Sequence, residues 1–310
     1  MMRDMIAITD LLGTTHPIIS APMAGVAGGR LAHAVSAAGG LGMIGARGTS
    51  SPEWIAEQAA IAGEGAAPFG IGLMAWVPQL DEQIDAITSL TGLSRPKLVS
   101  VSFGDLVEPV RRLHEWGLLV ACQVGNAADL EQAIEARADI IVARGGEGGG
   151  HGRDEVATDD LLAMALAATD RPVLAAGGIS TAAEVARVMG AGAAGVWCGT
   201  PFLTCVEADN TPAARAALVA ADATRYSRVH DVAQGLAWPR EFGGRAVDTP
   251  FVQRWAGDED AMTDAARAEH ADGRERGDTG YTPLYAGVGV DRLTAETDAA
   301  SVVRSLVDGI

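Results

Sequence analysis

The sequence has few cysteines and no long hydrophobic run. Its three cysteines, Cys122, Cys198 and Cys205, form no spaced metal-binding motif and leave an odd number for disulfide pairing. A cysteine in an apolar run is usually a small buried hydrophobe, so we expect free thiols and a reducing, cytoplasmic location. No apolar stretch approaches the ~18 residues that a membrane span needs. Residues 1–4 are not followed by the apolar segment of a secretion signal, so none is expected.

Positive charge is also scarce. The 310 residues include 23 Lys and Arg against 40 Asp and Glu, which gives a formal net charge of −17. A nucleic-acid partner requires clustered cations, so this balance argues against that class, and it fits a solvated, self-repelling surface. Hydrophobic residues are abundant at 48%, and many of the 39 glycines follow apolar runs. These glycines predict tight loops between strands and helices.

Short apolar runs alternate with amphipathic runs from about residue 17 to residue 220. The amphipathic runs carry apolar residues three and four apart, as Leu80, Ile84 and Ile87 do, which is typical of helices. The apolar runs lack alternation, as expected for parallel strands buried on both faces. Eight strands are predicted, at residues 17–23, 41–45, 69–76, 97–103, 118–124, 139–143, 171–176 and 194–198. The pattern predicts an α/β fold, a (β/α)8 or TIM barrel, over residues 1–220.

The remaining residues break this rhythm. Residues 221–280 are richer in Arg, Asp, Glu and Trp and contain helix-like stretches but no convincing strand. We therefore predict a smaller helical cap or lid region there. Residues 281–310 regain an apolar helical pattern, with Ala299, Val302, Val303 and Leu306 at helical spacing. We expect this C-terminal segment to pack back on the barrel.

Two glycine-bearing loops follow the seventh and eighth predicted strands. They read Ala176-Gly177-Gly178-Ile179 and Cys198-Gly199-Thr200. Barrels commonly bind phosphate after these two strands, because glycines allow backbone N–H groups to approach it and a helix start adds positive potential. Each glycine pair alone is also compatible with a tight turn. Together, Ala176, Gly177, Gly178, Gly199 and Thr200 predict a phosphate site.

The loop after the sixth strand is the richest in glycine. It reads Arg144-Gly145-Gly146-Glu147-Gly148-Gly149-Gly150-His151. A glycine run can pass close to a planar ligand, so Gly149 and Gly150 are candidate binding residues. His151 then lies at the pocket mouth, and histidine is the usual general base in enzymes. Arg144 and Glu147 are compatible with two interpretations, a pair with each other or a contact with ligand.

Further candidates lie at other strand ends. The loop after the first strand contains Ala21, Pro22, Met23 and Ala24, with a proline that makes the turn rigid. Gln123 and Ser102 are polar residues within apolar strands. Each is compatible with a hydrogen bond to a ligand or with a satisfied position in the core. Trp76 and Trp197 are candidate pocket walls, whereas Trp54, Trp116, Trp238 and Trp255 are assigned to packing. No metal site is expected.

Several short motifs follow one another along the chain. They are residues 17–25 (PIISAPMAG), 38–42 (AGGLG), 68–70 (PFG), 147–151 (EGGGH), 175–179 (AAGGI), 199–203 (GTPFL) and 285–289 (YAGVG). In order and spacing they resemble the nitronate monooxygenase family (formerly 2-nitropropane dioxygenases). Members of this family are FMN-dependent TIM barrels with a helical second region. The resemblance runs through the whole barrel, about two-thirds of the chain.

The resemblance implies a noncovalent FMN and a reaction. Gly177, Gly178, Gly199 and Thr200 would bind the phosphate, residues 21–24 would line the ring, and Gln123 would approach it. His151 falls on the family's catalytic histidine. The implied reaction oxidises an alkyl nitronate, such as propionate 3-nitronate, with O2 to a carbonyl compound and nitrite. The implied partners are therefore a small anionic substrate and O2, and the sequence is compatible with an oligomer.

Two positions depart from the family's pattern, and two other functions stay open. Gly72 stands where Asn is common, and Arg144 stands where Gln or Asp is common. A cationic Arg144 would stabilise a reduced anionic flavin or bind an anionic substrate. The first alternative is an NAD(P)H-dependent quinone or enoyl-thioester reductase on the same FMN barrel. The second is a non-redox phosphate-binding barrel, which would be colourless when purified.

Overall fold

Eight parallel strands form a barrel in the computed structural model, which describes residues 7–308 and residue 310. The described strands are β1 (Ile18–Ser20), β2 (Gly42–Gly45), β3 (Phe69–Met74), β4 (Leu98–Ser102), β5 (Leu119–Val124), β6 (Ile140–Arg144), β7 (Gly150–Gly152), β8 (Val173–Ala176), β9 (Gly195–Cys198), β10 (Thr224–Ser227) and β11 (Gly243–Val247). The barrel contains all of them except β7, β10 and β11, in the order β1-β9-β8-β6-β5-β4-β3-β2. A bridge between Ile19 and Leu41 joins β1 to the residue before β2 and closes the ring.

Helices connect successive barrel strands on the outside. The described α-helices are α1 (Ile8–Leu12), α2 (Gly29–Ala37), α3 (Pro52–Ala62), α4 (Leu80–Ser89), α5 (Val107–Glu115), α6 (Ala127–Glu135), α7 (Thr158–Ala168), α8 (Ala182–Gly190), α9 (Pro212–Val219), α10 (Val229–Gln234), α11 (Pro250–Trp255), α12 (Asp264–Glu275) and α13 (Ala299–Val307). Short 3₁₀ helices lie at Gly92–Ser94, Thr200–Phe202, Glu259–Ala261 and Val288–Arg292. Within residues 7–308, no helix is both long enough and apolar enough to cross a membrane.

Local capping chemistry sets several helix starts. The Ser51 side chain accepts a hydrogen bond from the backbone of Trp54, and Pro52 occupies the first turn of α3, where its missing N–H has no consequence. Thr181 and Glu184 form a reciprocal capping box at the start of α8, as their spacing predicts. Asn126 caps α6. These contacts hold the helices in place directly after the loops that carry the candidate site.

The barrel strands are buried on both faces, which explains their lack of alternation. An inner cluster packs inside the barrel and includes Met43, Leu98, Val142 and Leu174, and α1 closes its amino-terminal end with Ile8 and Leu12. A larger outer cluster lies between strands and helices. The predicted fold class is confirmed, because each predicted barrel strand overlaps an observed one.

The C-terminal helix completes the ring of helices. α13 packs against α2 and α8, which flank the position of the eighth barrel helix. Its Val302, Val303 and Leu306 side chains are buried in the outer cluster, as the sequence pattern predicts. The predicted eighth helix at 213–220 exists as α9, but α9 packs beside the 3₁₀ helix Val288–Arg292 instead.

The region after the barrel contains helices but also strands, so the expectation of no strand there was wrong. β10 and β11 form an antiparallel sheet with β7, the strand that holds His151. The sequences Thr-Arg-Tyr-Ser and Gly-Gly-Arg-Ala-Val carry little apolar alternation. Their strand conformation comes from pairing with residues far away in sequence, which local patterns do not reveal.

Candidate active site

A cavity of about 660 Å³ opens at the carboxyl ends of the barrel strands. The loops after the barrel strands form its floor, and residues of the cap and of the C-terminal segment form its roof. All the sequence-predicted site residues line this one cavity: Ala21, Pro22, Met23, Ala24, Gln123, Gly149, Gly150, His151, Ala176, Gly177, Gly178, Gly199 and Thr200. The structure therefore brings together loops that are separated by up to 179 positions along the chain, from Ala21 to Thr200.

The loops after β8 and β9 present free backbone donors. Gly177 and Gly178 have φ values of +107° and +66°, a backbone conformation that residues other than glycine rarely adopt. The N–H groups of Gly177, Gly178, Gly199 and Thr200 have no acceptor anywhere in the described chain. Thr200 is buried and the three glycines are partly exposed, and four unpaired donors at one end of a cavity are suited to a ligand with several acceptor oxygens.

Neighbouring segments hold these four residues in place, and we refer to them as the glycine cradle (Gly177, Gly178, Gly199 and Thr200). The Thr200 hydroxyl accepts a hydrogen bond from the Gly287 backbone N–H at 2.9 Å, and the Val288 N–H donates to the Glu147 carbonyl at 3.0 Å. A Cβ at Gly199 would lie 3.4 Å from the Met23 sulfur and 3.5 Å from the Ala21 Cβ. The loop after β1 therefore lies directly against the cradle.

The polar candidates in the strands differ in their environment. The Ser102 hydroxyl accepts a hydrogen bond from the Gln123 backbone N–H at 3.1 Å, which links β4 to β5. The Gln123 side-chain amide has no protein partner within residues 7–308 and lines the cavity. Trp76 and Trp197 line the cavity as predicted. Gln123 is thus available to a ligand, whereas Ser102 already has a structural hydrogen bond.

Arg144 supports the glycine-rich loop from within. It is only 4% exposed, and its guanidinium donates to the carbonyls of Gly148, Gly149 and Gly150 at 2.6 to 3.2 Å. Burial lowers the pKa of Arg144 to about 10, so it remains a cation at neutral pH. It does not pair with Glu147, whose carboxylate accepts hydrogen bonds from Thr158 instead. Arg144 also lines the cavity and places a buried positive charge beside it.

Gly72 has no room for a side chain. A Cβ there would overlap the ring of Pro22, and it would lie 3.0 Å from the Ser100 hydroxyl. Pro22 therefore occupies the space that a larger residue at position 72 would fill. Gly72 and Pro22 therefore pack directly against each other on the cavity floor.

His151 is held by residues of the cap. Its Nε2 lies 2.9 Å from Oδ1 of Asp231 on α10, and its side chain is 10% exposed while that of Asp231 is 1% exposed. The ring stacks on Trp238 with a centroid distance of 3.7 Å and an interplanar angle of 4°. Tyr285 packs at 5.0 Å from the same ring. Burial raises the pKa of Tyr285 well above its usual value, and the Asp231 carboxylate raises it further.

Sequence reasoning missed Asp231, Trp238 and Tyr285 as site residues. Trp238 was assigned to packing, but it lines the cavity and contacts His151. Asp231 lies 80 residues after His151, in a stretch with many acidic residues. The one usable signal was the motif at 285–289, which begins with Tyr285. A single sequence gave no reason to link that motif to His151.

The cavity wall carries positive but no negative side chains. Arg47, Arg144 and Arg274 line it, and no Asp or Glu does so among its described lining residues. This contrasts with the net charge of −17 for the whole chain. A concave site with one sign of charge focuses its field on a ligand of opposite sign. The cavity is therefore suited to an anion.

The cysteines and metal-ligating residues contribute no further centre. Burial raises the pKa of Cys122, Cys198 and Cys205 to about 12, so these thiols stay protonated and poorly nucleophilic. No group of three or more His, Cys, Asp or Glu residues in the described part of the chain could hold a metal ion.

Comparison with known proteins identifies the family. The family model described as "Nitronate monooxygenase" matches residues 6–309. This chain belongs to the nitronate monooxygenase family. It is 31% identical to a nitronate monooxygenase of Pseudomonas aeruginosa, over 97% of this chain and 97% of that protein. It is accordingly an oxidoreductase, of a family that is generally flavin-dependent.

Two solved structures share the architecture. FabK from Thermotoga maritima superimposes with a TM-score of 0.84 at 27% identity, over 97% of this chain and 94% of that one. Nitroalkane oxidase from Streptomyces ansochromogenes superimposes with a TM-score of 0.83 at 26% identity, over 98% and 97% of the two chains. Both likenesses include the cap as well as the barrel. The nitronate monooxygenase fold of this chain thus extends over its whole described length.

Proposed function

We propose that this chain is an FMN-dependent nitronate monooxygenase that oxidises alkyl nitronates, such as propionate 3-nitronate, with O2 to a carbonyl compound and nitrite. The observation that carries the proposal is the composition of the cavity wall. One cavity of about 660 Å³ combines a cradle of free N–H donors, a partly buried histidine and three arginines without an acidic residue. The N–H donors are suited to a flavin phosphate, and the arginines are suited to an anionic substrate.

The residues of the cradle fit a flavin phosphate. The N–H groups of Gly177, Gly178, Gly199 and Thr200 would donate to its oxygens, and the start of α8 adds the positive end of a helix dipole. Residues 21–24 and Gly149 and Gly150 would line the ring, with the Gln123 amide as a hydrogen-bonding partner. This assignment explains why so many glycines with positive φ surround one cavity.

A nitronate is an anion, and the wall supplies cations for it. Arg144 stays protonated at neutral pH although it is buried, because its pKa is about 10. Arg47 packs over Gly25 and lines the cavity, and no acidic residue of the described chain forms an ion pair with it. A second negative group on the substrate, such as the carboxylate of propionate 3-nitronate, would be attracted to Arg47.

His151 would handle the proton in this reaction. With Nε2 directed to Asp231, Nδ1 is the nitrogen left for a substrate. From a neutral nitroalkane it would accept the α-proton, and toward a nitronate the protonated ring would donate a hydrogen bond to the nitro group. When bound, FMN supplies the redox chemistry by which the nitronate is oxidised with O2. The stacked Trp238 and the roof of the cavity limit the access of water.

The test is anaerobic reduction of the purified flavoprotein. We expect the protein to be isolated with a flavin spectrum that an FMN standard identifies after release. Propionate 3-nitronate should bleach this spectrum rapidly, and the aerobic reaction should consume O2 and release nitrite. A colourless protein with no affinity for FMN would refute the cofactor. A flavin that nitronates do not reduce would refute the substrate.

The second candidate is an NAD(P)H-dependent reductase of quinones or enoyl thioesters. The likeness to FabK, an enoyl reductase, favours it, and Arg47 and Arg274 would then meet phosphate groups of NAD(P)H or of a thioester substrate. The same anaerobic experiment separates the two functions. Fast bleaching by NADH or NADPH together with slow bleaching by nitronates would support the reductase.

We also propose that residues 221–280 act as a lid, since Gln234, Leu236 and Trp238 cover the cavity.

A further inference from the structure

The contact between His151 and Asp231 joins the two parts of the molecule. His151 lies on β7, after the sixth barrel strand, and Asp231 lies on α10 of the cap. Their Nε2 and Oδ1 atoms are 2.9 Å apart, and the Asp231 side chain is 1% exposed. A carboxylate this buried must have hydrogen-bonding partners. The His151 ring is the hydrogen-bonding partner of this carboxylate, and the carboxylate also raises the pKa of the nearby Tyr285 phenol.

We infer that Asp231 is a positioning residue that fixes His151 in the tautomer with the proton on Nε2, so that Nδ1 serves as the base for substrate. This inference rests on the proposed function. A carboxylate is an acceptor only, so the imidazole nitrogen that faces it must carry a hydrogen. In the neutral ring the other nitrogen then has a lone pair. Nδ1 has no hydrogen bond to any described residue and is not among the buried unpartnered atoms, which leaves it open to the cavity.

The cap fixes the ring plane as well as the tautomer. Trp238 stacks on His151 within 4° of parallel, and Trp238 in turn contacts Trp76 at 4.8 Å and Phe103 at 5.3 Å. The backbone of His151 pairs with Gly244 of β11. Trp238 thus fixes the plane of the His151 ring, Asp231 contacts its Nε2, and pairing with β11 holds its backbone. Without the cap the base would lose all three contacts.

The proton transfer balances with these groups alone. The α C–H bond of a neutral nitroalkane breaks, its proton moves to Nδ1, and the electron pair is delocalised over the nitro group as the nitronate. The resulting imidazolium is paired with the Asp231 carboxylate, which stabilises the charge that develops. A nitronate supplied directly has already lost this proton. Asp231 is therefore needed for nitroalkanes far more than for nitronates.

Other titratable groups near the pair are few. Tyr285 faces Asp231 and keeps its proton because burial raises its pKa well above the usual value. His230 precedes Asp231 on α10, and burial lowers its pKa to about 3, so it is neutral in the working range. Arg274 of α12 is a permanent cation near Tyr285. None of these three groups changes charge near neutral pH.

Asp231→Asn is the informative substitution. The amide has the same shape but offers an N–H that pairs with an unprotonated Nε2, which would shift the proton to Nδ1 and remove the base. We expect kcat/KM for nitroethane to fall about 10²- to 10⁴-fold, the usual worth of a general base. The rate with ethyl nitronate should change less than about fivefold, and the pH profile for nitroethane should lose the fall in rate at low pH that protonation of a general base causes.

A matched pair elsewhere in the protein provides the control. His114 Nε2 lies 2.9 Å from Asp139 Oδ2, and neither residue lines the cavity. Asp139→Asn disrupts the same type of contact and should leave the ratio of nitroethane to nitronate rates unchanged. Equal loss of both rates in Asp231→Asn, or a changed ratio in Asp139→Asn, would overturn the positioning role.

A second measurement does not depend on activity. In protein labelled with ¹⁵N-histidine, we expect the His151 signals of the wild type to show a proton on Nε2 and none on Nδ1. Signals of the opposite tautomer would overturn the inference even in a protein that folds and binds flavin normally. If wild-type protein oxidises no nitronate, the proposed function fails, whereas the tautomer measurement still decides the role of Asp231.

Discussion

Replacing Gly178 by alanine tests the phosphate cradle most directly. Gly178 has φ +66°, where a residue with a Cβ costs about 1–2 kcal/mol. The added Cβ would also lie 3.1 Å from the Glu147 Cβ and 3.3 Å from a Val288 methyl group. The loop must shift to relieve both strains, and the N–H groups of Gly177 and Gly178 would no longer point at the phosphate. Loss of one hydrogen bond to a charged group removes about 1.5–3 kcal/mol. We therefore expect the Kd for FMN to rise about 10- to 100-fold.

Gly117→Ala is the matched control. Gly117 has the same φ of +66°, and a Cβ there meets no atom within 4 Å. Gly117→Ala should lose about 1–2 kcal/mol of unfolding free energy in urea denaturation of the apoprotein, and Gly178→Ala should lose at least as much because its Cβ also meets Glu147 and Val288. Only Gly178→Ala should lose FMN affinity, measured by quenching of flavin fluorescence on titration. Wild-type FMN affinity in Gly178→Ala, or equal losses in both variants, would refute the assignment of the cradle.

Three further predictions concern charged groups. Arg144→Gln leaves the carbonyls of the glycine-rich loop without their cationic donor. Because an unsatisfied buried acceptor costs about 1–3 kcal/mol, the free energy of unfolding should fall by at least about 2 kcal/mol in urea denaturation. An unchanged free energy of unfolding would contradict the role of Arg144 in supporting the loop. Arg47→Gln should raise KM about tenfold for propionate 3-nitronate but not for ethyl nitronate, as expected for the loss of one charge-assisted contact; an equal rise for both would show that Arg47 does not bind the carboxylate. Burial lowers the pKa of His230 to about 3 and of His270 to about 4. At these two histidines the unfolded chain therefore takes up protons below about pH 6.5, whereas the folded chain does not until about pH 4. The free energy of unfolding should fall as the pH decreases from about 6.5 to about 4. His270→Phe should weaken that fall, measured by urea denaturation at about pH 7 and about pH 5, and an unaltered pH dependence would contradict this origin.

The sequence alone determined the barrel and the position of its glycine loops. Parallel strands buried on both faces and helices with one apolar face produce distinct local patterns, so each barrel strand was located within a few residues. The carboxyl ends of parallel barrel strands must meet at one end of the barrel. For that reason Gly178, Thr200, Gln123 and His151 could be placed around one cavity before any distance was known. Their roles toward FMN remain predictions.

The tertiary structure alone decided how the cavity is closed and charged. β10 and β11 lack a strand pattern of their own and become strands by pairing with β7. Asp231 is 80 residues from His151, and Arg144 bonds to carbonyls and not to its nearest acidic neighbour in sequence. Hydrogen bonds between buried polar groups depend on which segments of the chain pack together, and a single sequence does not show which distant segments do so. The sequence therefore located the histidine, and the fold showed which carboxylate directs it.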